Sequence, residues 1–183
     1  IRQMVKDGGA WRERCVDHIG DQFQFVLGDS VDAEAIPKPF RTAPDGSVFE
    51  TSPISREIVT AISTLLRANG GAALLIDYGH TEPGMGDTLQ AVKDHAYADP
   101  LKNPGQQDLT AHVDFASVVR TVVDAGARPW GPITQGDLLE RLGISARATS
   151  LLLGATKEQA VELASARQRL TAPGGMGRLF KAI

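Results

Sequence analysis

Several features that define other protein classes are scarce or missing in this sequence. Its 183 residues include one cysteine, two tryptophans and two tyrosines, and no apolar run approaches the ~20 residues that a membrane-spanning helix needs. A single cysteine can form neither an internal disulfide nor a zinc site, which favours a reducing compartment. Lysine and arginine number 19 against 22 aspartate and glutamate, with no basic run, which disfavours a nucleic-acid partner. The composition is therefore that of a globular protein of about one domain.

The common catalytic and nucleotide-binding motifs are missing as well. No Gly-x-Gly-x-x-Gly follows a predicted strand, and there is neither a phosphate-binding P-loop nor a Gly-x-Ser-x-Gly turn. Cys15 has no base predicted beside it, which disfavours covalent catalysis. The chain begins at Ile1 without an initiator methionine or a signal-peptide pattern, and we expect that it is a piece of a longer protein.

The first half of the sequence predicts a hairpin, a loop and a helix. Apolar residues on both sides of Gly20-Asp21 indicate a β-hairpin over about 11–19 and 22–28. Three prolines then predict a long loop over 29–46. Ser52-Pro53 has the pattern of a helix start, and apolar spacing continues to Asn69, where two glycines follow.

The next segment is typical of a parallel α/β arrangement. The apolar run 72–76 predicts a strand buried on both faces and ending before Asp77. A short strand is predicted within 88–92, and a helix begins at Asp114, its N-cap, and ends at Gly126. The remaining predicted elements are a strand over 128–134, helices over 137–142, 148–153 and 157–170, and a closing strand over 176–183.

Polar residues are concentrated between Asp77 and Asp114, and this window contains three of the four histidines. Open α/β sheets bind ligands at the carboxyl ends of their strands, so Asp77 is the leading functional candidate. Asp77 could instead anchor the following loop through backbone N–H groups. His112 could be a base, a ligand or a structural histidine. Asp and His are suitable metal ligands, but their spacing here matches no defined metal motif.

Several segments of the chain form a specific combination of motifs. They are GGAALLIDYGH at 70–80, GDTLQAV at 86–92, DPL at 99–101, PG at 104–105 and DLTAHVDF at 108–115. This combination resembles the MidA-type family of S-adenosylmethionine-dependent methyltransferases, which includes a mitochondrial complex I assembly factor that methylates protein arginine. The match extends from WRER at 11–14 through ETSP at 50–53 and TQG at 134–136 to MGRLFK at 176–181. The resemblance therefore covers nearly the whole chain.

The resemblance implies an α/β fold: the C-terminal half of a seven-stranded, Rossmann-like class I methyltransferase sheet with a β-hairpin and long loop insertions. Residues 1–183 would form the substrate-side part of that domain, and the part that binds the cofactor would precede Ile1. The strand at 72–76 would be the fifth of the sheet and the Trp130 region the sixth. The strand at 178–183 would be the seventh, inserted between them.

By the same resemblance the cofactor is S-adenosylmethionine, and no metal is required. Asp77 and His112 would be catalytic, and five residues would contact substrate: Glu50, Tyr78, His80, Asp108 and Thr110. Carboxylates can orient a guanidinium through paired hydrogen bonds, and a nearby Asp, Glu or His can accept the proton that it loses.

The expected partner is a protein substrate, with a subunit of respiratory complex I as the implied acceptor. The compartment would be the cytoplasm of a bacterium, which we favour, or the mitochondrial matrix of a eukaryote. Half a sheet exposes strand edges, which predicts instability or association with another chain, a second copy included. Two alternatives are a non-catalytic assembly module and, less favoured by the spacing, a metal-dependent hydrolase.

Overall fold

A computed structural model describes all 183 residues, which divide into two compact units. The first contains Ile1–Ile58 and Pro83–His112, and the second contains Val59–Glu82 and Val113–Ile183. The strands are β1 (Arg2–Asp7), β2 (Ala10–Ile19), β3 (Gln22–Val31), β4 (Val48–Thr51), β5 (Ile76–His80), β6 (Gln90–Lys93), β7 (Ala96–Ala98), β8 (Asp108–Thr110), β9 (Val113–Asp114), β10 (Ile133–Thr134) and β11 (Phe180–Ala182). The helices are α1 (Pro53–Asn69), α2 (Phe115–Asp124), α3 (Gln135–Arg141), α4 (Ile144–Leu152), α5 (Lys157–Thr171) and α6 (Met176–Leu179).

The first unit is built on a four-stranded antiparallel sheet in the order β3-β2-β1-β4. The predicted hairpin is confirmed as β2 and β3, with Gly20 at a positive φ of 62° in the turn. Strands β1 and β4 were missed. Strand β4 has four residues and a partner distant in sequence, whereas β1 forms a hairpin with β2 through Gly8 and Gly9, which both have positive φ and were the available signal. The segment between β3 and β4 contains two short 3₁₀ helices within the predicted loop.

A small apolar core covers one face of this sheet. Its buried members are Met4, Trp11, Ile36 and Phe49. Burying each large side chain contributes about 1.5–3 kcal/mol, so these four residues are a main source of stability for the first unit. The same unit has a second, three-stranded antiparallel sheet in the order β7-β6-β8. Its central strand, β6, overlaps the predicted strand at 88–92, because it begins at Gln90 and ends at Lys93.

Helix α1 begins where the sequence predicts, because the Ser52 hydroxyl accepts a hydrogen bond from the backbone N–H of Ser55 at 3.3 Å. The buried stripe of the helix passes through Val59 and Ser63. The predicted apolar face is only partly buried, since Ile58 is 55% exposed.

The second unit contains a four-stranded sheet in the order β10-β11-β5-β9. Strand β11 is antiparallel to both β10 and β5, and it lies between them, where the resemblance places the closing strand. Strand β9 is parallel to β5. The sheet of this unit thus has four strands, and the complete seven-stranded arrangement stays an expectation.

The prediction for β5 was wrong in its bounds and in its burial. The strand begins at Ile76 and continues to His80, so Asp77 and Tyr78 lie within it, and Ile76 is 46% exposed. An apolar run indicates residues that can be buried. Which residues form the strand is decided by backbone hydrogen bonds to neighbouring strands. Gly79 lies opposite Val113, and a Cβ atom at Gly79 would come within 2.0 Å of the Val113 carbonyl oxygen. Glycine is therefore required where β5 and β9 pair.

Helix α2 confirms the predicted start, since the Asp114 carboxylate accepts a hydrogen bond from the backbone N–H of Ser117 at 2.9 Å. Two predicted strands are shorter than expected. The strand predicted over 128–134 is reduced to β10, and the one predicted over 176–183 begins as helix α6 before β11. Among the helices of the chain, none combines the length and the apolar character needed to cross a bilayer.

Candidate functional site

Glu50 lies at the centre of a hydrogen-bond network in the first unit. One carboxylate oxygen, Oε1, accepts hydrogen bonds from the Gln3 amide at 2.6 Å and from the Thr88 backbone N–H at 3.0 Å. The other oxygen, Oε2, accepts a short hydrogen bond from the Thr88 hydroxyl. Strand β4 places this side chain beside β1, because Glu50 and Gln3 are register partners. Glu50 therefore fixes the segment that contains Thr88.

A second carboxylate, Asp87, belongs to the same network. Its Oδ1 accepts from the Gln3 amide nitrogen at 2.8 Å, so one buried amide donates to two carboxylates. Its Oδ2 accepts from both terminal nitrogens of Arg14, at 2.7 and 2.8 Å. The Arg14 guanidinium also lies 4.3 Å from the centre of the Phe25 ring, and its Nε is buried without a partner. A carboxylate together with an aromatic face is the chemistry that binds a guanidinium.

The network also reaches His112. The Thr88 hydroxyl oxygen accepts a hydrogen bond from the His112 backbone N–H at 3.0 Å, so Glu50 is connected to His112 through Thr88. The His112 side chain is half-buried. Thr110 and Asp108 lie on β8, opposite Gln90 and Val92 of β6. Four of the predicted site residues, Glu50, Asp108, Thr110 and His112, thus belong to the first unit.

The second unit holds the other predicted residues and brings His80 beside Asp114. These two residues are register partners where the parallel strands β5 and β9 end, which is the sheet edge where ligands bind in open α/β folds. His80 Nδ1 lies 2.6 Å from the Glu82 carbonyl oxygen. A carbonyl can only accept, so Nδ1 carries a proton, and Nε2 is the ring nitrogen that can exchange one.

Asp77 and Tyr78 point to opposite faces of β5, because side chains alternate along a strand. The Asp77 carboxylate is exposed and accepts a hydrogen bond from the Tyr78 backbone N–H at 2.8 Å. The Tyr78 ring packs edge-on against Phe180 at 5.5 Å. Lys181 is opposite Asp77, but its ammonium donates to the Gly79 carbonyl oxygen at 3.0 Å. Burial, and secondarily the charge of Arg178, lower the pKa of Lys181.

The second unit also has a cavity of about 370 Å³, bordered by α1, the segment before β5 and the segment after α2. Its lining is mostly apolar and includes Arg67 and Arg128 but no carboxylate. A pocket for S-adenosylmethionine would need acceptors for the ribose hydroxyls and a neutral or anionic environment for the sulfonium. This cavity does not fit that cofactor. Across the 183 residues, no three His, Cys, Asp or Glu side chains are grouped so that they could hold a metal ion.

Sequence reasoning missed Gln3 and Arg14 as members of the network. Both lie on strands of the first sheet, and β1 was not predicted, so nothing local indicated that Gln3 faces Glu50. Asp87 and Thr88 fall within the polar window, and their turn-forming neighbours were the available signal.

A family model described as "Putative S-adenosyl-L-methionine-dependent methyltransferase" matches residues 1–133. Three relatives carry the name protein arginine methyltransferase NDUFAF7, mitochondrial, or its homolog. The Xenopus laevis protein is 35% identical over 98% of this chain and 41% of its own length. The Caenorhabditis elegans homolog is 34% identical over 100% of this chain and 43% of its own. The human protein is 34% identical over 98% of this chain and 41% of its own.

Two crystal structures of proteins from Burkholderia thailandensis have a similar fold. One is superposed with a TM-score of 0.85 and 29% identity, covering 99% of this chain and 50% of that protein. The other contains bound S-adenosyl-homocysteine and has a TM-score of 0.84 and 28% identity, covering 100% of this chain and 49% of that protein. The chain thus spans about two-fifths of the curated relatives and half of each crystallised protein.

Proposed function

Because this chain belongs to the family of S-adenosyl-L-methionine-dependent methyltransferases, we propose that it forms the substrate-facing part of a protein arginine methyltransferase. The observation that carries this proposal is similarity over 98–100% of the chain to proteins named for that activity. Each unit adds chemical support of its own, since the carboxylates of Asp77 and Asp108 are exposed and carboxylates bind a guanidinium.

The cofactor of this family, S-adenosylmethionine, supplies the methyl group. We propose that segments outside these 183 residues hold it, because the cavity of the second unit does not fit it. The exposed apolar side chains of Leu65, Leu74 and Ile76 support this proposal, since such surface is usually covered by further protein. The 183 residues would then bind the protein that accepts the methyl group, rather than the S-adenosylmethionine that supplies it.

Asp77 is the proposed anchor for the acceptor guanidinium. Its carboxylate is exposed, and the hydrogen bond from the Tyr78 backbone N–H goes to Oδ1 rather than to Oδ2. Tyr78 is proposed as a further substrate contact of the second unit, and Asp108 and Thr110 are proposed separately as substrate contacts of the first unit. Glu50 differs, because both of its oxygens already accept hydrogen bonds from Gln3 or Thr88. We therefore propose that Glu50 is a positioning residue.

Two histidines are proposed as proton acceptors. His80 has its Nδ1 proton held by the Glu82 carbonyl, which leaves Nε2 to take the proton that the methylated guanidinium loses. His112 is held at its backbone by Thr88 and through it by Glu50. Replacing Glu50 would therefore affect the position of the His112 backbone through Thr88.

The proposed substrate is a protein of a respiratory complex, with a subunit of complex I as the acceptor that the family resemblance implies. The names of the three relatives place those proteins in mitochondria. The test is transfer of labelled methyl groups from S-adenosylmethionine to purified complex I subunits by the full-length protein. Mass spectrometry of the product should locate the label on arginine.

The site assignment is tested in the same assay with Asp77→Asn and His80→Asn. We expect His80→Asn to lower kcat by about 100-fold, because it removes the proposed proton acceptor. Asp77→Asn should chiefly raise the KM for the acceptor protein, because it weakens a charge-assisted contact.

His95→Asn is the matched control. His95 has a positive φ of 63°, which asparagine tolerates, and it lies in the turn between β6 and β7. It should leave kcat unchanged. Calorimetric titration should give the same affinity for S-adenosylmethionine in all variants. A large loss of cofactor binding with product formation intact would contradict the substrate-side assignment.

A further inference from the structure

Strand β3 forms an open edge of the first sheet, since the strand order places it outside β2 with no strand beyond it. Residues 22–27 of this strand, with the sequence QFQFVL, contain no charge and no proline. Natural edge strands are usually protected by lysine, proline, a bulge or a cover, because an uncharged open edge pairs readily with another strand. Residues 22–27 contain neither lysine nor proline.

A β-bulge marks the end of the regular edge. The register between β2 and β3 shifts between Arg12 and Arg14, where two residues of β3, Gly28 and Asp29, face Glu13 alone. The Arg12 guanidinium donates to the Gly28 carbonyl oxygen through Nε at 3.0 Å and Nη2 at 2.8 Å. The unprotected edge is therefore six residues long, from the hairpin turn to the bulge.

The same six residues place an apolar stripe on one face of the hairpin. Phe23, Phe25 and Leu27 alternate along β3, and Val16 lies opposite Phe25 on β2. Their exposed fractions are 41% for Phe23, 37% for Phe25, 39% for Leu27 and 53% for Val16. Arg14 and His18 of β2 lie on the same face, with the Arg14 guanidinium 4.3 Å from the centre of the Phe25 ring and the His18 ring 5.2 Å from that of Phe23, so this chain covers the stripe only in part.

We propose that the partner is a second copy of this chain, paired antiparallel within residues 22–27 around a two-fold axis that is perpendicular to the sheet and passes beside one residue of this segment. Such an axis keeps each apolar stripe on the same face, so Phe23, Phe25 and Leu27 of one copy lie beside the same residues of the other. Pairing would join two four-stranded sheets into one of eight strands. The bulge limits the pairing to the six regular residues.

A second copy is favoured over an unrelated peptide by self-complementarity. The segment presents apolar side chains at every second position, and its antiparallel copy presents them at the same spacing on the same face. Neither edge carries a charge in 22–27, so no like charges are brought together within this ladder. The uncharged segment 22–27 of each copy is therefore sufficient to form the proposed dimer.

The test uses the full-length protein in sedimentation velocity over about 1–100 µM. We expect a dimer, and Phe23→Lys should raise its dissociation constant by about tenfold or more, because a charge at the edge opposes pairing. Tyr97→Lys is the control, because Tyr97 is 82% exposed and lies on β7 of the other sheet. It should leave the dissociation constant unchanged.

A cross-linking experiment locates the axis. In a background with Cys15→Ser and any other cysteines replaced, Gln24→Cys, Phe25→Cys and Val26→Cys are oxidised one at a time. A disulfide-linked dimer should form most readily at the residue nearest the axis, and Tyr97→Cys should not cross-link. A wild-type monomer across the range would overturn the proposal, and so would a dimer weakened equally by both lysine variants. A monomer whose amides at 22–27 resist hydrogen exchange would show instead that the same polypeptide covers this edge.

Discussion

Replacing Gln3 with methionine tests whether the two-carboxylate network holds the first unit together. The Gln3 amide nitrogen donates to Glu50 at 2.6 Å and to Asp87 at 2.8 Å, and the side chain is 5% exposed. A hydrogen bond to a charged group contributes about 1.5–3 kcal/mol. Glu50 keeps the donors of Thr88, and Asp87 keeps those of Arg14, so the two losses are partly compensated. We expect Gln3→Met to lower the free energy of unfolding by about 2–4 kcal/mol.

The assay is urea unfolding followed by the fluorescence of Trp11, which is buried in the core of the same unit. A Trp130→Phe background removes the other tryptophan of this chain. With a slope of about 2 kcal/mol per molar urea, the midpoint should fall by about 1–2 M. Gln106→Met, at an exposed position, is the control and should shift stability by less than about 0.5 kcal/mol.

A double-mutant cycle with Glu50→Gln separates the network from a general packing effect. Residues within one hydrogen-bond network couple by about 0.5–3 kcal/mol, whereas independent residues add. A loss below about 1 kcal/mol for Gln3→Met, or additivity in the cycle, would refute the role given to the shared amide.

Three further predictions concern single contacts. Gly79→Ala should destabilise the second unit by about 3 kcal/mol or more in urea unfolding, because the new Cβ would meet the Val113 carbonyl oxygen at 2.0 Å and separate β5 from β9. Asp114→Ala should cost about 1 kcal/mol in the same assay, through loss of the N-cap of α2. The hydrogen bond from Arg2 lowers the pKa of Glu13 below its usual 4.5, so its stabilising effect is present above that pH and is lost as the pH falls. The stability difference between wild type and Glu13→Gln should therefore shrink below pH 4.5.

Each of these predictions has a simple control. Gly154→Ala should be tolerated, because no atom lies within 4 Å of the added Cβ. For Asp114, an Asn variant retains a capping oxygen and should restore most of the lost stability. The pH series for Glu13 is repeated in high salt, which should reduce the difference at neutral pH, since the ion pair is exposed. If Gly79→Ala were tolerated, the close approach of β5 and β9 would be contradicted. If Asp114→Asn did not restore stability, the N-cap role of Asp114 would be contradicted. A stability difference for Glu13→Gln that did not change with pH would contradict the effect of the hydrogen bond from Arg2.

The sequence by itself determined the elements whose signals are local. The hairpin was predicted from residues on both sides of its turn, and α1 and α2 from their N-caps, Ser52 and Asp114. Such signals are encoded within a few residues of each element, because caps and turns satisfy backbone groups nearby. The family and its cofactor were also predictable, because the motif segments are specific, and the family-model match confirms both.

Tertiary structure decided what depends on pairing across long stretches of chain. Strand β4 has only four residues, and it forms because it pairs with β1. The same pairing brings Gln3 to Glu50, 47 residues away in sequence, and so creates a network that no local pattern indicates. The extent of β5 was likewise decided by its neighbours β9 and β11. A strand has no hydrogen-bond partners within itself, so its limits are decided by the chains beside it, whereas a helix contains its own partners.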